Sequence, residues 1–277
     1  MTFDAAQFKR LERTGYNRLG RRYLAASARR AMLAEGLLAA ADLGPGLTVL
    51  DLASGPGLLA SAATQTVGPT GFVIASDIAE AQLACCPSNT DVARVAADGE
   101  HLPFATASLD RVMCGLGLML FPNVHVALAE VRRVLRPHGR FALSVWGNAD
   151  DVPLIEVALS CIRRLLPAPK VARPSIFRFG DAADLQRRLT SADFCDIRIV
   201  PLQFSLDFPD VASYWQAFLD LAGGAAESIA RLPDAKQAEL AREVALELAP
   251  YATSGGYRLV STILIATGQT STSTGPI

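Results

Sequence analysis

The sequence predicts an α/β fold in which a largely parallel sheet carries helices on both faces, and three observations predict it. Apolar runs containing β-branched residues alternate with alanine- and leucine-rich segments from residue 47 to residue 146, which is the pattern of a parallel sheet. The first run ends at Asp51 and breaks at Gly55-Pro56-Gly57, as a strand, a tight turn and a helix start would. Hydrophobic residues make up 51% of the 277 residues, which is enough for a large core.

Residues 1–42 are predicted to form a helical arm. Apolar residues recur there at three- and four-residue spacings, which predicts two or three helices interrupted near Gly15 and Gly20. Tyr16 and Tyr23 lie on this arm, and an amphipathic phenol suits the wall of a partly hydrated pocket as well as a core. We expect the arm either to close over the site as a lid or to pack on a neighbouring subunit of a homo-oligomer.

Residues 43–147 are predicted to form the core of the sheet. The predicted strands lie at 47–52, 72–77, 92–97, 109–114 and 140–146. The predicted helices between them lie at 57–66, 79–85 and 123–135. This strict alternation is what places helices on both faces of a parallel sheet.

Residues 148–267 are predicted to complete the core and to carry a helical insertion at about 207–251. The predicted helices lie at 153–166, 181–192, 210–222 and 234–249. Two late strands, predicted at 197–204 and 258–266, are expected to pair antiparallel at one sheet edge. The Thr-, Ser- and Gly-rich tail, residues 268–277, is expected to be disordered.

The charge and cysteine content exclude several classes of function. A formal net charge of −1 gives no field that would hold nucleic acid or anionic lipid, so neither is an expected partner. No apolar run has the length of a membrane span, and the N-terminal stretch lacks the apolar segment of a signal peptide. The five cysteines are scattered without metal-ligand spacing, which predicts reduced thiols, no metal site and a cytoplasmic protein.

The glycine turn predicts a nucleotide-type ligand, and its neighbours narrow the kind of ligand. A Walker phosphate loop is excluded because Leu58 follows Gly57 where that loop needs a lysine. A dinucleotide-binding fingerprint would place a glycine at residue 60. This chain has Ala60, which that fingerprint tolerates, so a dinucleotide ligand stays open as an alternative. Asp51 lies four residues before Gly55, and a carboxylate there disfavours a pyrophosphate but suits a zwitterion carrying an ammonium or a sulfonium group.

Two further carboxylates follow the next two predicted strands. Asp77 ends the second strand, where a carboxylate can accept hydrogen bonds from both hydroxyls of a ribose. Asp98 follows the third strand. Ligands of open parallel sheets bind at the carboxyl ends of the strands, so we expect these carboxylates to converge on one site with Asp51.

Four stretches carry a resemblance to a known family: VLDLASGPG, ASDI, AADGEHLPFATASLDRV and LMLFPNVHVALAEVRRVLRPHGRFALSVWG. Together they resemble class I S-adenosylmethionine-dependent methyltransferases, in particular the type-11, ubiquinone/menaquinone-biosynthesis-like small-molecule enzymes. The resemblance is strong over 40–147 and weak over 175–267. It implies a Rossmann-like, seven-stranded sheet whose last strand inserts antiparallel, and S-adenosyl-L-methionine as cofactor.

The resemblance also implies which residues hold that cofactor. The segment from Asp51 to Gly57 would hold the methionine part, Asp77 the ribose and Asp98 the adenine amino group. The full set of implied cofactor contacts is Asp51, Ala53, Ser54, Gly55, Gly57, Asp77, Ile78, Asp98, Gly99, Cys114 and Gly115. Cys114 and Gly115 would contribute their backbone at the methionine end. Two departures from the family pattern, at Ala53-Ser54 and at Pro137-His138-Gly139, leave both turn glycines in place.

The acceptor of the methyl group is expected to be small and largely hydrophobic. The loop after the fourth strand is apolar and lacks the Asn/Asp-Pro-Pro-Tyr/Phe motif of nucleic-acid base methyltransferases. The candidate acceptor contacts are Tyr16, Tyr23, Leu116, Met119, Phe121, Trp146 and Trp215. His125 is a candidate base at the mouth of the site, while His101 and His138 are expected to be structural, and the catalytic residue is left open.

Three functions are consistent with this pattern. The first is transfer of a methyl group to carbon or oxygen of a quinone, a lipid or terpenoid, or a natural-product-type acceptor. The second is a cyclase or pericyclase on the same fold, in which the cofactor acts as a structural or electrostatic aid. The third is an NAD-dependent oxidoreductase that uses the same strand-end crevice.

Overall fold

The computed structural model describes residues 3–26, 31–88, 91–169, 171–222, 226 and 229–271. Its strands are β1 Thr48–Leu52, β2 Phe72–Asp77, β3 Val92–Ala96, β4 Leu109–Gly115, β5 Leu135–Trp146, β6 Phe194–Phe208, β7 Ala252–Thr253 and β8 Gly256–Thr270. Its helices are α1 Ala5–Ala25, α2 Ala31–Ala40, α3 Leu58–Val67, α4 Glu80–Leu83, α5 Val124–Val134, α6 Pro153–Leu165, α7 Ala182–Ser191, α8 Val211–Leu221 and α9 Asp234–Leu248. Single 3₁₀ turns lie at Leu118–Leu120, Ala149–Asp151 and Ala249–Tyr251.

All eight described strands belong to one sheet, in the order β3-β2-β1-β4-β5-β8-β6, with the short β7 paired to β8. Strands β1 to β5 are mutually parallel, whereas β8 is antiparallel to both β5 and β6. The predicted mostly parallel, Rossmann-like sheet with an antiparallel last strand is therefore confirmed. The two-residue β7, which forms a hairpin with β8, is the one strand beyond the seven predicted.

The centre of the sheet is buried on both faces, which explains its continuous apolar runs. Val49 and Leu50 of β1, Val112 of β4 and Phe141 of β5 have no solvent exposure. Leu128 on α5 is also buried, on a helix face that packs against the same cluster. Because side chains on both faces of these strands pack into the core, the carboxyl ends of the strands are held in place.

Several element boundaries differ from the prediction because strand pairing extends them. Strand β5 begins at Leu135, five residues earlier than expected, because Leu135 pairs with Leu109 before a register shift. Strand β8 runs to Thr270, which pairs with Phe194. The expectation of disorder from residue 268 is thus wrong for 268–270, and 272–277 lie outside the described residues.

The N-terminal arm packs on its own chain. Helix α1 changes direction at Gly20, whose φ of 26° and ψ of −106° are not helical. Arg13 of α1 pairs with Glu80 of α4, and Arg22 pairs with Asp220 of α8 at 3.0 Å. The homo-oligomer through this arm stays a prediction. None of the described helices is both long and apolar enough to span a membrane.

Candidate functional site

The glycine turn after β1 has a left-handed backbone at three of its five residues. Ala53, Gly55 and Gly57 have φ values of 56°, 54° and 76°. The turn is fixed by a hydrogen bond from the Ser54 amide to the Ser76 carbonyl oxygen at 3.0 Å, which ties it to β2. Gly57 then forms the N-cap of α3. The turn therefore brings bare backbone and a helix N-terminus to the carboxyl edge of the sheet.

Replacing Gly57 by alanine should destabilise the fold and weaken ligand binding at the turn. A Cβ there would lie 2.6 Å from the Cys86 Sγ atom, on a backbone with a φ of +76°. We expect a loss of about 1–3 kcal/mol in the free energy of unfolding, measured by urea denaturation. Gly44→Ala is the matched control, because a Cβ at Gly44 meets nothing within 4 Å. Equal effects of the two substitutions would contradict the role assigned to the turn.

Asp51 is fully buried, and only one of its two carboxylate oxygens has a hydrogen-bond partner among the described residues. Its Oδ2 atom accepts a hydrogen bond from the Ala60 amide at 2.9 Å, whereas Oδ1 has no partner among the described residues. Burial, with a smaller contribution from the charge of Asp77, raises the pKa of Asp51 to about 8. An orphaned buried carboxylate oxygen needs a partner, and a cationic ligand group would supply one.

Asp77 closes β2 and holds the turn through its carboxylate. Its Oδ2 atom accepts from the Gly55 amide and its Oδ1 atom from the Ala79 amide, both at 2.8 Å. Burial raises the pKa of Asp77, and these backbone hydrogen bonds oppose the shift. The same carboxylate also lines a cavity together with Ile78, so it can accept a ligand hydroxyl on the open side.

Asp98 is engaged by a residue that the sequence did not indicate. The Nζ atom of Lys9, on α1, lies 2.6 Å from Asp98 Oδ2 and 2.6 Å from Glu100 Oε2. Burial lowers the pKa of Lys9, but hydrogen bonds to both carboxylates outweigh this and raise it above its usual value. Lys9 thus ties the arm to the carboxylate that the resemblance assigns to the adenine amino group.

Three cavities meet at the carboxyl edge of the sheet. The Asp77 cavity, of about 90 Å³, lies along Asp77, Ile78, Asp98 and Gly99. The Asp51 cavity, of about 70 Å³, lies along Asp51, Ser54, Leu37 and Ser144. The large cavity, of about 440 Å³, lies between α1, β5, α6, β6 and α8. Tyr23 and Leu116 line all three cavities, so the cavities converge there.

Most of the residues proposed as cofactor contacts lie together at this edge. All of them except Gly57 and Cys114 line the Asp77 cavity or the Asp51 cavity. Gly57 lies in the turn and forms the N-cap of α3, with a left-handed backbone. Cys114 has no solvent exposure, and burial raises the pKa of its thiol to about 12, so it is a core residue inside β4.

The residues proposed as acceptor contacts separate into two groups. Tyr16, Tyr23, Leu116, Met119 and Trp146 line the large cavity. Phe121 lines the Asp77 cavity instead, where its ring lies against Gly99. Trp215 lines none of the three cavities, because α8 presents its Ala217 and Phe218 face to the large cavity while Trp215 stacks on Phe218 at 5.6 Å.

The histidines lie away from this convergence. His125 lines a separate surface pocket with Arg178 and Phe179, and His101 and His138 are exposed. His125 is therefore not placed to act as a base in the large cavity. Within the described residues, no group of three His, Cys, Asp or Glu side chains could hold a metal ion.

An ion pair inside the large cavity was missed by the sequence reasoning. Arg173 Nη1 donates a hydrogen bond to Glu12 Oε1 at 2.8 Å, and both residues line the cavity. Burial raises the pKa of Glu12, and the charge of Arg173 opposes the shift. The available signal was the helical spacing Phe8, Glu12, Tyr16, which places an acid on the apolar face of α1.

Comparison with known proteins identifies the family. Residues 50–143 match the family model described as "Methyltransferase domain". The demethylmenaquinone methyltransferase of Mycolicibacterium vanbaalenii is 30% identical over 170 residues, covering 57% of this chain and 73% of that protein. The ubiquinone/menaquinone biosynthesis C-methyltransferase UbiE of Ralstonia pickettii is 40% identical over 108 residues, covering 37% of this chain. The chain spans only 44% of the length of that UbiE protein.

Solved structures share the fold at low sequence identity. The YcgJ protein from Bacillus subtilis superimposes with a TM-score of 0.59 at 18% identity, covering 87% of this chain and 98% of that one. The [4+2]-cyclase SpnF superimposes with a TM-score of 0.53 at 16% identity, covering 88% of this chain and 81% of that one. Together with the strand order and the matched curated relatives, these findings establish that the chain belongs to the class I S-adenosylmethionine-dependent methyltransferases, in the UbiE-like group.

Proposed function

We propose that the protein transfers a methyl group from S-adenosylmethionine to carbon or oxygen of a small, largely hydrophobic acceptor. The observation that carries this proposal is the convergence of the three cavities at Tyr23 and Leu116. Two cavities lined by carboxylates and glycines suit the polar cofactor, and the third, larger one suits the acceptor. The convergence brings the two ligands together at one point.

The residues present fit this cofactor. Asp51, with its orphaned Oδ1 atom, would pair with the ammonium group of the methionine part. Asp77 would accept the ribose hydroxyls beside Ile78, and Asp98 lines the same cavity. When bound, S-adenosylmethionine supplies a methyl group activated by attachment to a positively charged sulfur. A side chain at Gly55 would fill the space between the turn and the Tyr23 ring, because its Cβ would lie 3.3 Å from that ring. Glycine leaves this space open to the cofactor.

The large cavity favours an apolar acceptor with a polar group. Its apolar wall comes from α1, β5, α6, β6, α8 and the segment before α7, and includes Phe8, Trp146, Leu154, Phe177, Phe204 and Phe218. Its charged members are Glu12, Arg163 and Arg173. The Ralstonia pickettii relative is named for ubiquinone/menaquinone biosynthesis, and the Mycolicibacterium vanbaalenii relative is named a demethylmenaquinone methyltransferase. A prenylated hydroquinone combines an apolar body with hydroxyl groups, which makes it the acceptor class that we propose.

The contribution of the chain to the reaction is mainly alignment and exclusion of water. The methyl donor is already activated, so holding the acceptor atom in line with the methyl carbon removes much of the barrier. Helix α1 lies over the cofactor cleft, where Lys9, Tyr16 and Tyr23 line the Asp77 cavity. The arm therefore separates the reacting groups from solvent.

Incubation with methyl-labelled S-adenosylmethionine and a short-chain demethylmenaquinol tests this function. We expect label in the extracted quinol product and formation of one S-adenosylhomocysteine for each methyl transferred. A rearranged acceptor of unchanged mass, without label, would instead support the cyclase alternative. Tight binding of NAD without binding of S-adenosylhomocysteine would overturn the proposal.

Binding of S-adenosylhomocysteine should release a proton from Asp51. Below its pKa of about 8 in the free protein, Asp51 is protonated, and a bound ammonium group favours the charged form. Binding at pH 6–7 should therefore release close to one proton, and affinity should rise with pH up to about pH 8. Calorimetry in buffers of different ionisation enthalpy measures this release. The Asp51→Asn variant should lose it, and proton uptake by the unmodified protein would contradict the assignment.

A further inference from the structure

One carboxylate occupies a position that the cofactor assignment does not use. Glu12 lies one helical turn from Phe8 and one from Tyr16, so it shares their face of α1. It lines both the large cavity and the Asp77 cavity, while its side chain is only 10% exposed. A carboxylate in this position borders the acceptor on one side and the cofactor on the other.

The hydrogen bonds of Glu12 leave one oxygen available. Its Oε1 atom accepts from Arg173, and no hydrogen bond to Oε2 is present within the described part of the chain. In the other carboxylates of the two cavities, each oxygen already accepts a hydrogen bond from the protein: Asp77 from two backbone amides, and Asp98 from Lys9 and the Glu100 amide. Glu12 is therefore the carboxylate of these cavities whose free oxygen can take a proton from a ligand.

We propose that Glu12 is the general base that removes a proton from a hydroxyl group of the acceptor, with Arg173 as the residue that positions it. This inference rests on the proposed methyl transfer. It specifies the acceptor as a phenol, an enol or a hydroquinone, because the proton must come from an O–H bond of the bound molecule. A carboxylate whose pKa is raised by burial is suited to this work near neutral pH.

The step moves one proton from the acceptor to Glu12 and one methyl group from sulfur to the acceptor. The acceptor O–H bond breaks, its electron pair stays on oxygen, and the proton moves to Glu12 Oε2. The oxygen, or the conjugated ring carbon, forms a bond to the methyl carbon as the carbon–sulfur bond breaks and its pair stays on sulfur. After attack by carbon, the ring tautomerises, and its C–H proton replaces the one lost from oxygen. The net products are methylated acceptor, S-adenosylhomocysteine and one proton.

The groups that face Glu12 determine how its charge responds to pH. They are the other ionisable members of the two cavities, Lys9, Tyr16, Tyr23, Asp77, Asp98, Arg163 and Arg173. Lys9 is held by Asp98 and Glu100, and Arg163 pairs with Glu156 on α6. Arg173 contacts Glu12 directly and lowers its pKa against the effect of burial. Removing the charge of Arg173 should therefore move the titration of Glu12 to higher pH.

The Glu12→Gln variant tests the role of the proton acceptor. Glutamine keeps the size and an oxygen for Arg173 but cannot take the proton, so kcat with a short-chain demethylmenaquinol or 1-naphthol should fall by about 10²- to 10⁴-fold. The affinity for S-adenosylhomocysteine should stay unchanged. Glu35→Gln is the matched control, because Glu35 is exposed on α2, and its rate should equal that of the unmodified protein.

The pH dependence of the Arg173→Gln variant distinguishes a base at Glu12 from a merely structural role of that residue. With S-adenosylmethionine saturating, kcat/KM for the acceptor should rise with pH along a single acid limb in the unmodified protein. Arg173→Gln should move that limb to higher pH. Carbon-13 NMR of glutamate-labelled protein, without acceptor or cofactor, should show the same shift directly. The Glu12 carboxyl should titrate at higher pH in Arg173→Gln than in the unmodified protein. The limb should be absent from Glu12→Gln.

The results distinguish a failure of the role of Glu12 from a failure of methyl transfer itself. A rate for Glu12→Gln close to that of the unmodified protein, or an unchanged acid limb, would overturn the role of Glu12 and leave methyl transfer standing. Binding of S-adenosylhomocysteine with no label in either acceptor would overturn the acceptor class and the role of Glu12 with it. Failure to bind S-adenosylhomocysteine at all would overturn the proposed function.

Discussion

Replacing Asp77 by alanine should weaken S-adenosylhomocysteine binding by about 10²- to 10⁴-fold. Asp77 is proposed to accept both ribose hydroxyls, and each hydrogen bond to a charged group contributes about 1.5–3 kcal/mol. The same substitution frees the Gly55 and Ala79 amides that Asp77 now holds at 2.8 Å. The turn would therefore lose its side-chain hydrogen bond to β2 and keep only the backbone hydrogen bond between Ser54 and Ser76. Isothermal titration calorimetry measures the loss of affinity.

Two further variants separate the ribose contact from a general effect of charge. Asp77→Asn keeps one carbonyl oxygen, so its affinity should lie between those of the alanine variant and the unmodified protein. Asp207→Ala removes an exposed carboxylate of β6 that pairs with Arg258, and such an exposed pair contributes little. Its affinity should be unchanged. An Asp77→Ala variant that binds as tightly as the Asp207→Ala control would contradict the assignment.

Replacing Ala217 by phenylalanine should abolish most acceptor turnover while sparing cofactor binding. Ala217 is 3% exposed and faces the large cavity from α8. A phenyl ring there occupies space proposed for the acceptor, and a displacement of about 1 Å from the reactive position can cost on the order of 10²-fold in rate. We expect a fall of that size in kcat/KM for a short-chain demethylmenaquinol, measured by transfer of labelled methyl.

The matched control lies on the same helix. Ala212 is on the exposed face of α8, so Ala212→Phe adds the same ring without entering the cavity, and its kcat/KM should be unchanged. Calorimetry should show the same S-adenosylhomocysteine affinity for both variants. Loss of cofactor affinity in Ala217→Phe alone would show that the two cavities are not separate binding regions.

The central strands and the cofactor turn could be predicted from the sequence because their signals are local. Strand β2 was predicted at 72–77 and lies at Phe72–Asp77, since a buried parallel strand is a continuous apolar run. Asp51, Asp77 and Asp98 follow three such strands. Their convergence follows from the parallel arrangement alone, without any side-chain detail.

The ends of the longer strands could not be predicted in the same way. Strand β6 covers Phe194–Phe208, yet several of its residues are exposed, such as Val200 at 60%. Its length is set by pairing with β8, and the partner residues are more than 45 positions apart along the chain, as with Phe208 and Tyr257. An edge strand held by such pairing carries only a weak periodic signal.

The acceptor side of the site depends on contacts between distant segments. Glu12 and Arg173 are separated by 161 positions, and Lys9 and Asp98 by 89. Each of these charges, viewed alone in the sequence, is typical of a solvated helix or loop. Only the packing of α1 over the sheet edge shows that they line cavities. The difference between Trp215 and Phe218 similarly depends on how α8 is rotated.

A crystal structure with S-adenosylhomocysteine tests the central claim most directly. We predict the amino group of the ligand beside Asp51 Oδ1, the ribose hydroxyls on Asp77, and the sulfur facing the large cavity between Tyr23 and Leu116. Lys9 should then share Asp98 with the adenine end or move away from it. A ligand bound in the opposite direction, with the adenine at Asp51, or bound away from the carboxyl edge of the sheet, would contradict the account.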